Sequence, residues 1–335
     1  MPNGSGFITV LKKGGLDGFV IALLLMIVVG WLWPQGSMEY NGFSLSQFAG
    51  YGVSLIFFFY GLKLDQVKLK AGLRHWKLHM VVQLSTFLLF PVIILCTRWI
   101  FDKANYGDIW LAVFFLAALP STVSSSVVMV SIARGNLVAA IFNASISSLI
   151  GIFITPLWLN LVLDADNIGT GTGDTIIKLV IQVLIPVIAG LLLNKHWGAF
   201  AEKHKKYFKY FDQFIILLIV YTSFAESFLN KRFENFNLLT LVVLTASMIG
   251  LFFIVYFIIR YVCGLLGFNK EDTITAVFCG SKKSLVHGTV MSKVLFSASP
   301  LLGVILLPLM IYHAAQLVIA SIIARGFNQR PDYPE

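Results

Sequence analysis

Charge is what this sequence has least of: Asp, Glu, Lys and Arg supply 12% of its 335 residues, while 58% are hydrophobic. Soluble domains carry about 25% charged and roughly 45–50% apolar residues, so a water-soluble globule is excluded. Cysteine is scarce too. Cys96, Cys263 and Cys279 lie within or at the ends of apolar stretches; that excludes a disulfide framework, and their spacing offers no metal site. Carboxylates are nearly absent from the apolar stretches, Glu226 being the only one well inside. A nucleophile-elbow motif, a ring of like charges and a repeated filter sequence are missing as well, which argues against a hydrolase and a channel.

What is present is a succession of apolar runs, each about the 20 residues that a helix needs to cross a bilayer. They predict an all-α membrane protein of about ten spans, at roughly 19–33, 44–62, 78–101, 109–132, 137–163, 175–194, 212–229, 237–263, 273–296 and 301–324. Lys12 and Lys13 precede the first run as in a signal peptide, but Trp31, Leu32 and Trp33 close it where small residues would mark cleavage, so it is read as retained. The net charge of +9 is a matter of topology and not of nucleic-acid binding. Basic residues gather on alternate loops: Lys12 and Lys13; Lys63, Lys68, Lys70, Arg74 and Lys77; Arg134; Lys195, Lys203, Lys205, Lys206 and Lys209; Lys270; Arg325. The intervening loops carry Glu39, then Asp102 and Asp108, then Asp164, Asp166 and Asp174. By the positive-inside rule both termini are cytoplasmic, in a bacterial inner membrane or a plasma membrane.

Two stretches repeat one pattern. Ser145, Ser147, Leu149, Gly151, Pro156 and Leu157 are matched in order and spacing by Ser297, Ser299, Leu301, Gly303, Pro308 and Leu309. They fall on the fifth and tenth spans, where a five-plus-five duplication puts them. An odd number of spans per unit makes it an inverted-topology repeat, an architecture of secondary transporters. The expected organisation is a cytoplasmic N-terminus (1–18), a first repeat (19–163), a second, inverted repeat (175–324) and a cytoplasmic tail (325–335). The duplication pairs span four with span nine, and both are interrupted. Span four reads Leu119-Pro120-Ser121-Thr122-Val123-Ser124-Ser125-Ser126, and span nine Gly280-Ser281-Lys282-Lys283-Ser284-Leu285-Val286-His287-Gly288. Unwound backbone at membrane depth is tolerated only where it lines a cavity, so the paired interruptions are the candidate site.

These segments resemble the bile acid:sodium symporter family, solute carrier family 10. The resemblance rests on Leu119 to Pro156, with Ala133-Arg134-Gly135-Asn136 between the spans. Phe278 to Leu285 is similar to the divergent branch that includes member seven and its bacterial relatives. The resemblance implies a panel of helices one, two, six and seven, and a core of three to five and eight to ten in which the broken helices cross. It also implies sodium-driven uptake of organic anions. Carried over residue by residue, the family's Ser-Asn pair falls on Ser126 and Val127. Its span-five hydroxyls fall on Ala140 and Ala144, with Asn143, Ser145 and Ser147 nearby. Its span-three Gln falls on Thr86, with Gln83 and His79 on neighbouring turns. Its crossing carboxylate and Gln fall on Ser281 followed by Lys282 and Lys283. The ion-binding candidates are therefore Ser126, Asn143, Ser145, Ser147, Thr86, Gln83 and Ser281, with sodium a candidate at the first site only.

A lysine at mid-span costs about 2.5–3.5 kcal/mol on insertion scales, and snorkelling fails when some ten residues lie on each side. Lys282 and Lys283 are thus candidates for a built-in cation that fills a lost sodium's place near Ser124, Ser125 and Ser126, with proton exchange on a lysine driving transport. Alternatively they bind the anionic group of a solute. Ser281, Ser284 and His287 complete the crossover set. Ser284 and His287, one helix turn apart, also raise an intramembrane hydrolase, and a solute-binding membrane regulator without transport is a third reading. No resident cofactor is expected. The expected partners are an anionic small molecule and the bilayer, with no nucleic acid and with the oligomeric state open.

Overall fold

A computed structural model describes residues 18–63, 75–103, 106–162, 177, 180–234, 236–296 and 299–329. Lys12, Lys13, Lys68, Lys70, Arg74, Asp164, Asp166, Asp174 and Ser297 lie outside them, as do the segments before Gly18 and beyond Gln329. Among the described residues the chain is helical. Its elements are α1 (Gly18–Leu32), α2 (Leu45–Leu62), α3 (Trp76–Ile100), α4a (Gly107–Ala118), α4b (Ser124–Ile132), α5 (Leu137–Val162), α6 (Val180–Lys203), α7 (Lys205–Leu229), α8 (Leu238–Leu265), α9a (Lys270–Gly280), α9b (Leu285–Leu295) and α10 (Leu302–Asn328). Seven of these are long and apolar enough to cross a membrane.

The distribution of polarity is that of a membrane protein. Leu192 is 74% and Leu161 76% exposed, whereas Lys282, Lys283, Asn143 and Gln316 are 0% exposed. An apolar exterior around polar centres suits hydrocarbon, where backbone and side-chain polar groups must be satisfied internally. The chain is an all-α integral membrane protein.

The helices pack in two groups. One contains α1, α2, α6 and α7; the other contains α3, α4a, α4b, α5, α8, α9a, α9b and α10. They meet where α7 packs on α9b and α10, and α2 on α9b. Inside the first group, α2 and α6 approach at facing glycines. A Cβ on Gly61 would lie 2.2 Å from the Val187 carbonyl oxygen, and one on Gly190 2.2 Å from that of Phe58. Only glycine permits such an approach. Gly61→Ala must therefore push the helices apart, and we expect a loss of about 1–3 kcal/mol, read as a lower thermal midpoint in detergent.

One sequence expectation is corrected. The basic stretch Lys195 to Lys209 was expected as a loop between spans six and seven, yet α6 continues to Lys203 and α7 begins at Lys205, leaving only a turn at His204. Alanine, lysine and glutamate there are good helix formers, and both helices continue on their propensity. This puts Asp212 two turns inside α7. The lettered repeat is out of register with the elements. Ser145 and Ser147 lie deep in α5, whereas Ser299 precedes α10. Small residues recur in membrane helices for close packing, and letters alone cannot separate that from duplication.

Candidate functional site

Proline 120 ends α4a, because the residue before a proline is driven out of helical conformation; Leu119 is extended, at ψ 153°. In α9a the helix stops at Gly280, and Ser281 to Ser284 are non-helical. Each break leaves carbonyls without intrahelical partners, and in a dry interior each needs another donor.

The two breaks supply each other. Ser121 Oγ donates to the Cys279 carbonyl at 2.5 Å, and Ser126 Oγ to that of Phe278 at 3.1 Å. In return, Ser284 N donates to the Pro120 carbonyl at 2.9 Å. The ammonium of Lys283 donates to the carbonyls of Thr86 (2.7 Å), Ala117 (2.6 Å) and Leu119 (2.8 Å). Thr155 Oγ1 takes the intervening Ala118 carbonyl at 2.8 Å. The end of α4a is thus closed by side chains from α5 and the α9 break.

The third acceptor has its own cause. Residues Ser85–Leu89 of α3 form a π-helical stretch in which Phe90 N bonds to the Ser85 carbonyl. In that register the next donor would belong to Pro91, which has none. The Thr86 carbonyl is freed and turns to Lys283. An ammonium has three N–H donors, and Lys283 has three carbonyl acceptors on two helices, with the Phe90 ring centroid 4.1 Å from Nζ. Its own backbone is held by Gln316, which accepts from Lys283 N at 2.9 Å and donates to Lys283 O at 2.8 Å. Lys282, equally buried, donates to the Ser125 carbonyl at 2.9 Å, its one such bond among the described residues.

The other candidates separate. Ser125 and Ser126 lie 2.8 and 2.7 Å from Thr122 Oγ1 in a hydroxyl cluster, but Ser124 is exposed. Ser147 Oγ accepts from Ser121 N at 3.0 Å, joining α5 to the break. Gln83 donates to Asn143 Oδ1 at 3.2 Å. Ser145 and Ser281 turn back on their own helices, to Ile141 O at 2.9 Å and Val277 O at 2.7 Å, and Thr86 Oγ1 to Val82 O at 2.8 Å. Ser281 O accepts from Tyr312 at 2.6 Å. No group of three or more His, Cys, Asp or Glu suited to a metal occurs among the described residues.

Ser284 Oγ and His287 Nδ1 do meet, at 3.0 Å. The same hydroxyl accepts from His287 N at 3.3 Å and caps α9b, which is what a serine three residues before this position does at a helix start. The ring of His287 stands edge-on to Tyr60 at 5.4 Å. We expect Ser284→Ala to cost about 1 kcal/mol as a lost cap and to leave the protein active, its thermal midpoint shifting without abolished function; an enzyme would lose essentially all activity.

His287 lies on a small crevice between the two helix groups, lined by Ile56, Phe57, Tyr60, Lys63, Asp212, Val286, His287 and Val290. Lys63 Nζ and Asp212 Oδ2 pair across it at 3.3 Å. Neither residue was singled out from the sequence as a site residue, and neither was Lys293, which is 6% exposed inside α9b. An isolated lysine within an apolar span is the signal that could have found it.

Comparison with known proteins gives the family. The model of the SBF-like CPA transporter family matches residues 17–329. The chain is 35% identical to the putative symporter YfeH of Escherichia coli, over 95% of this chain and 94% of that one. It is 37% identical to an uncharacterized protein, PA2026, of Pseudomonas aeruginosa, covering 94% of each. It is 32% identical to sodium/bile acid cotransporter 7-B of Xenopus laevis, over 95% of this chain and 92% of that one. With the model spanning nearly the whole chain, this protein belongs to the SBF-like CPA transporter family.

Proposed function

We propose that this protein is a secondary active transporter that moves a small organic anion by alternating access, with lysine ammonium groups standing where sodium ions would bind. The observation that carries the reading is the tripod of backbone carbonyls on Lys283 Nζ. Carbonyl oxygens freed at interrupted helices are the usual ligands of a coupling cation in transporters. Here the chain provides that cation itself. Its place at the ends of α4a and the α3 irregularity is electrostatically apt, since helix C-termini carry partial negative charge.

The two lysines divide the work. Lys283 is saturated and serves as the fixed positive charge of the crossing. Lys282 has one carbonyl partner and is the group that exchanges a proton: its amine takes up a proton on one side and returns it on the other, so protons replace sodium as the driving ion. The inverted repeat of 19–163 and 175–324 and cytoplasmic termini complete this reading, with the group containing α3 to α5 and α8 to α10 moving against α1, α2, α6 and α7.

The bare solute-binding regulator has no observation in its favour, whereas a crevice between two separately packed helix groups suits alternating access. The test is accumulation of a broad set of organic anions in proteoliposomes under an imposed proton or sodium gradient. Uptake driven by the proton gradient is expected. Folded protein that accumulates none of them would overturn the transport reading.

A further inference from the structure

The helix groups meet along a seam that holds a small crevice at one end and is bridged by a side-chain bond at the other. Helical spacing places Asp212, Ile216, Ile219, Ser223 and Glu226 on one stripe of α7. On α9b the stripe that lines the crevice through Val286 and Val290 continues to Lys293. The crevice occupies the end carrying Lys63. At the far end Lys293 Nζ, on α9b, donates to Ser46 Oγ at the start of α2, so a hydrogen bond crosses from one helix group to the other. Glu226 acts on Lys293 electrostatically from α7, the third wall.

Two buried hydroxyls at the far end also lack a partner within the protein. Ser223 Oγ and Thr289 Oγ1 are buried and have no hydrogen-bond partner, and Thr289 lies one turn before Lys293, on the same side of α9b. A buried hydroxyl left without any partner is unfavourable. A permanently packed interface gains nothing from such groups, but a seam that opens to water or to a polar solute in another state uses them there.

We propose that Lys293 is the outer gate of the solute pathway: its bond to Ser46 holds the far mouth closed in this state, and release of that bond exposes Lys293, Thr289 and Ser223 to an entering organic anion. This rests on the transporter reading, yet it is testable without transport. The freed ammonium and the two hydroxyls offer a cation and donors suited to a carboxylate or sulfonate head.

The experiment uses Ser223→Cys, a nearly isosteric reporter inside the closed seam, in a Cys96→Ser background, because Cys96 is exposed while Cys263 and Cys279 are buried. Spheroplasts are treated with a membrane-impermeant maleimide, and the rate of labelling is compared with and without Lys293→Met. We expect slow labelling of the reporter alone and at least fivefold faster labelling with Lys293→Met. Ser46→Ala removes the acceptor from the opposite wall and leaves the lysine in place, so a smaller increase in the same direction is expected. Lys293→Arg restores slow labelling. Unchanged rates in both Lys293→Met and Ser46→Ala overturn the gate, whatever the transport assay gives. Faster labelling without any solute flux instead leaves the gate standing and counts against the transporter reading.

Discussion

Lys283→Met is expected to be the most destabilising single substitution at the crossing, lowering stability by on the order of 3–5 kcal/mol, as breaking buried charged networks does. Three backbone carbonyls lose their donor together, and each buried acceptor left alone costs about 1–3 kcal/mol. Methionine fills the volume but donates nothing. Arginine does not rescue, because its planar fork cannot match three oxygens arranged around one tetrahedral nitrogen. Lys282→Met, with one carbonyl at stake, should cost about 1–3 kcal/mol. Thermal unfolding of the purified variants in one detergent, followed by tryptophan fluorescence, ranks them. Equal midpoints for Lys283→Met and the unaltered protein would remove the argument for a structural ammonium.

The second large effect is expected in coupling. Lys282→Ala should retain solute binding within a few-fold but lose at least tenfold of the uptake driven by an imposed proton gradient, because the exchanging group is gone. Exchange of labelled for unlabelled solute at equilibrium needs no net driving ion and should persist. That combination separates coupling from recognition. If Lys282→Ala instead abolishes binding of every anion while exchange and net uptake fall together, the lysine is part of the solute site.

Much of this was legible in the letters. The composition and the spacing of apolar runs gave the membrane class, and two polar interruptions in otherwise apolar spans, at Pro120 and at Ser281 to Ser284, marked the crossing. Lys282 and Lys283 stood out because ammonium groups at mid-span need a reason. What stayed hidden depends on three-dimensional accounting. Pro91 frees a carbonyl one register away, and only the fold shows that Lys283 answers it. Ser145 and Ser281, chosen for their hydroxyls, spend them on their own helices, whereas Ser121, in the span-four interruption but not chosen, reaches the Cys279 carbonyl of the other break. Asp212 and Lys63 are far apart in sequence and meet only when α2 packs on α7. The basic stretch Lys195 to Lys209 read as a loop because charge was weighed above helix propensity.

The claim that ammonium groups have replaced sodium is tested most directly by equilibrium binding of radioactive sodium to the purified protein, with N-methylglucamine as the balancing cation. No saturable sodium binding is expected in the unaltered protein, since Lys282 and Lys283 already hold the carbonyls of Ser125, Thr86, Ala117 and Leu119. Saturable binding of one or more sodium ions per chain, unaffected by Lys282→Ala, would contradict it.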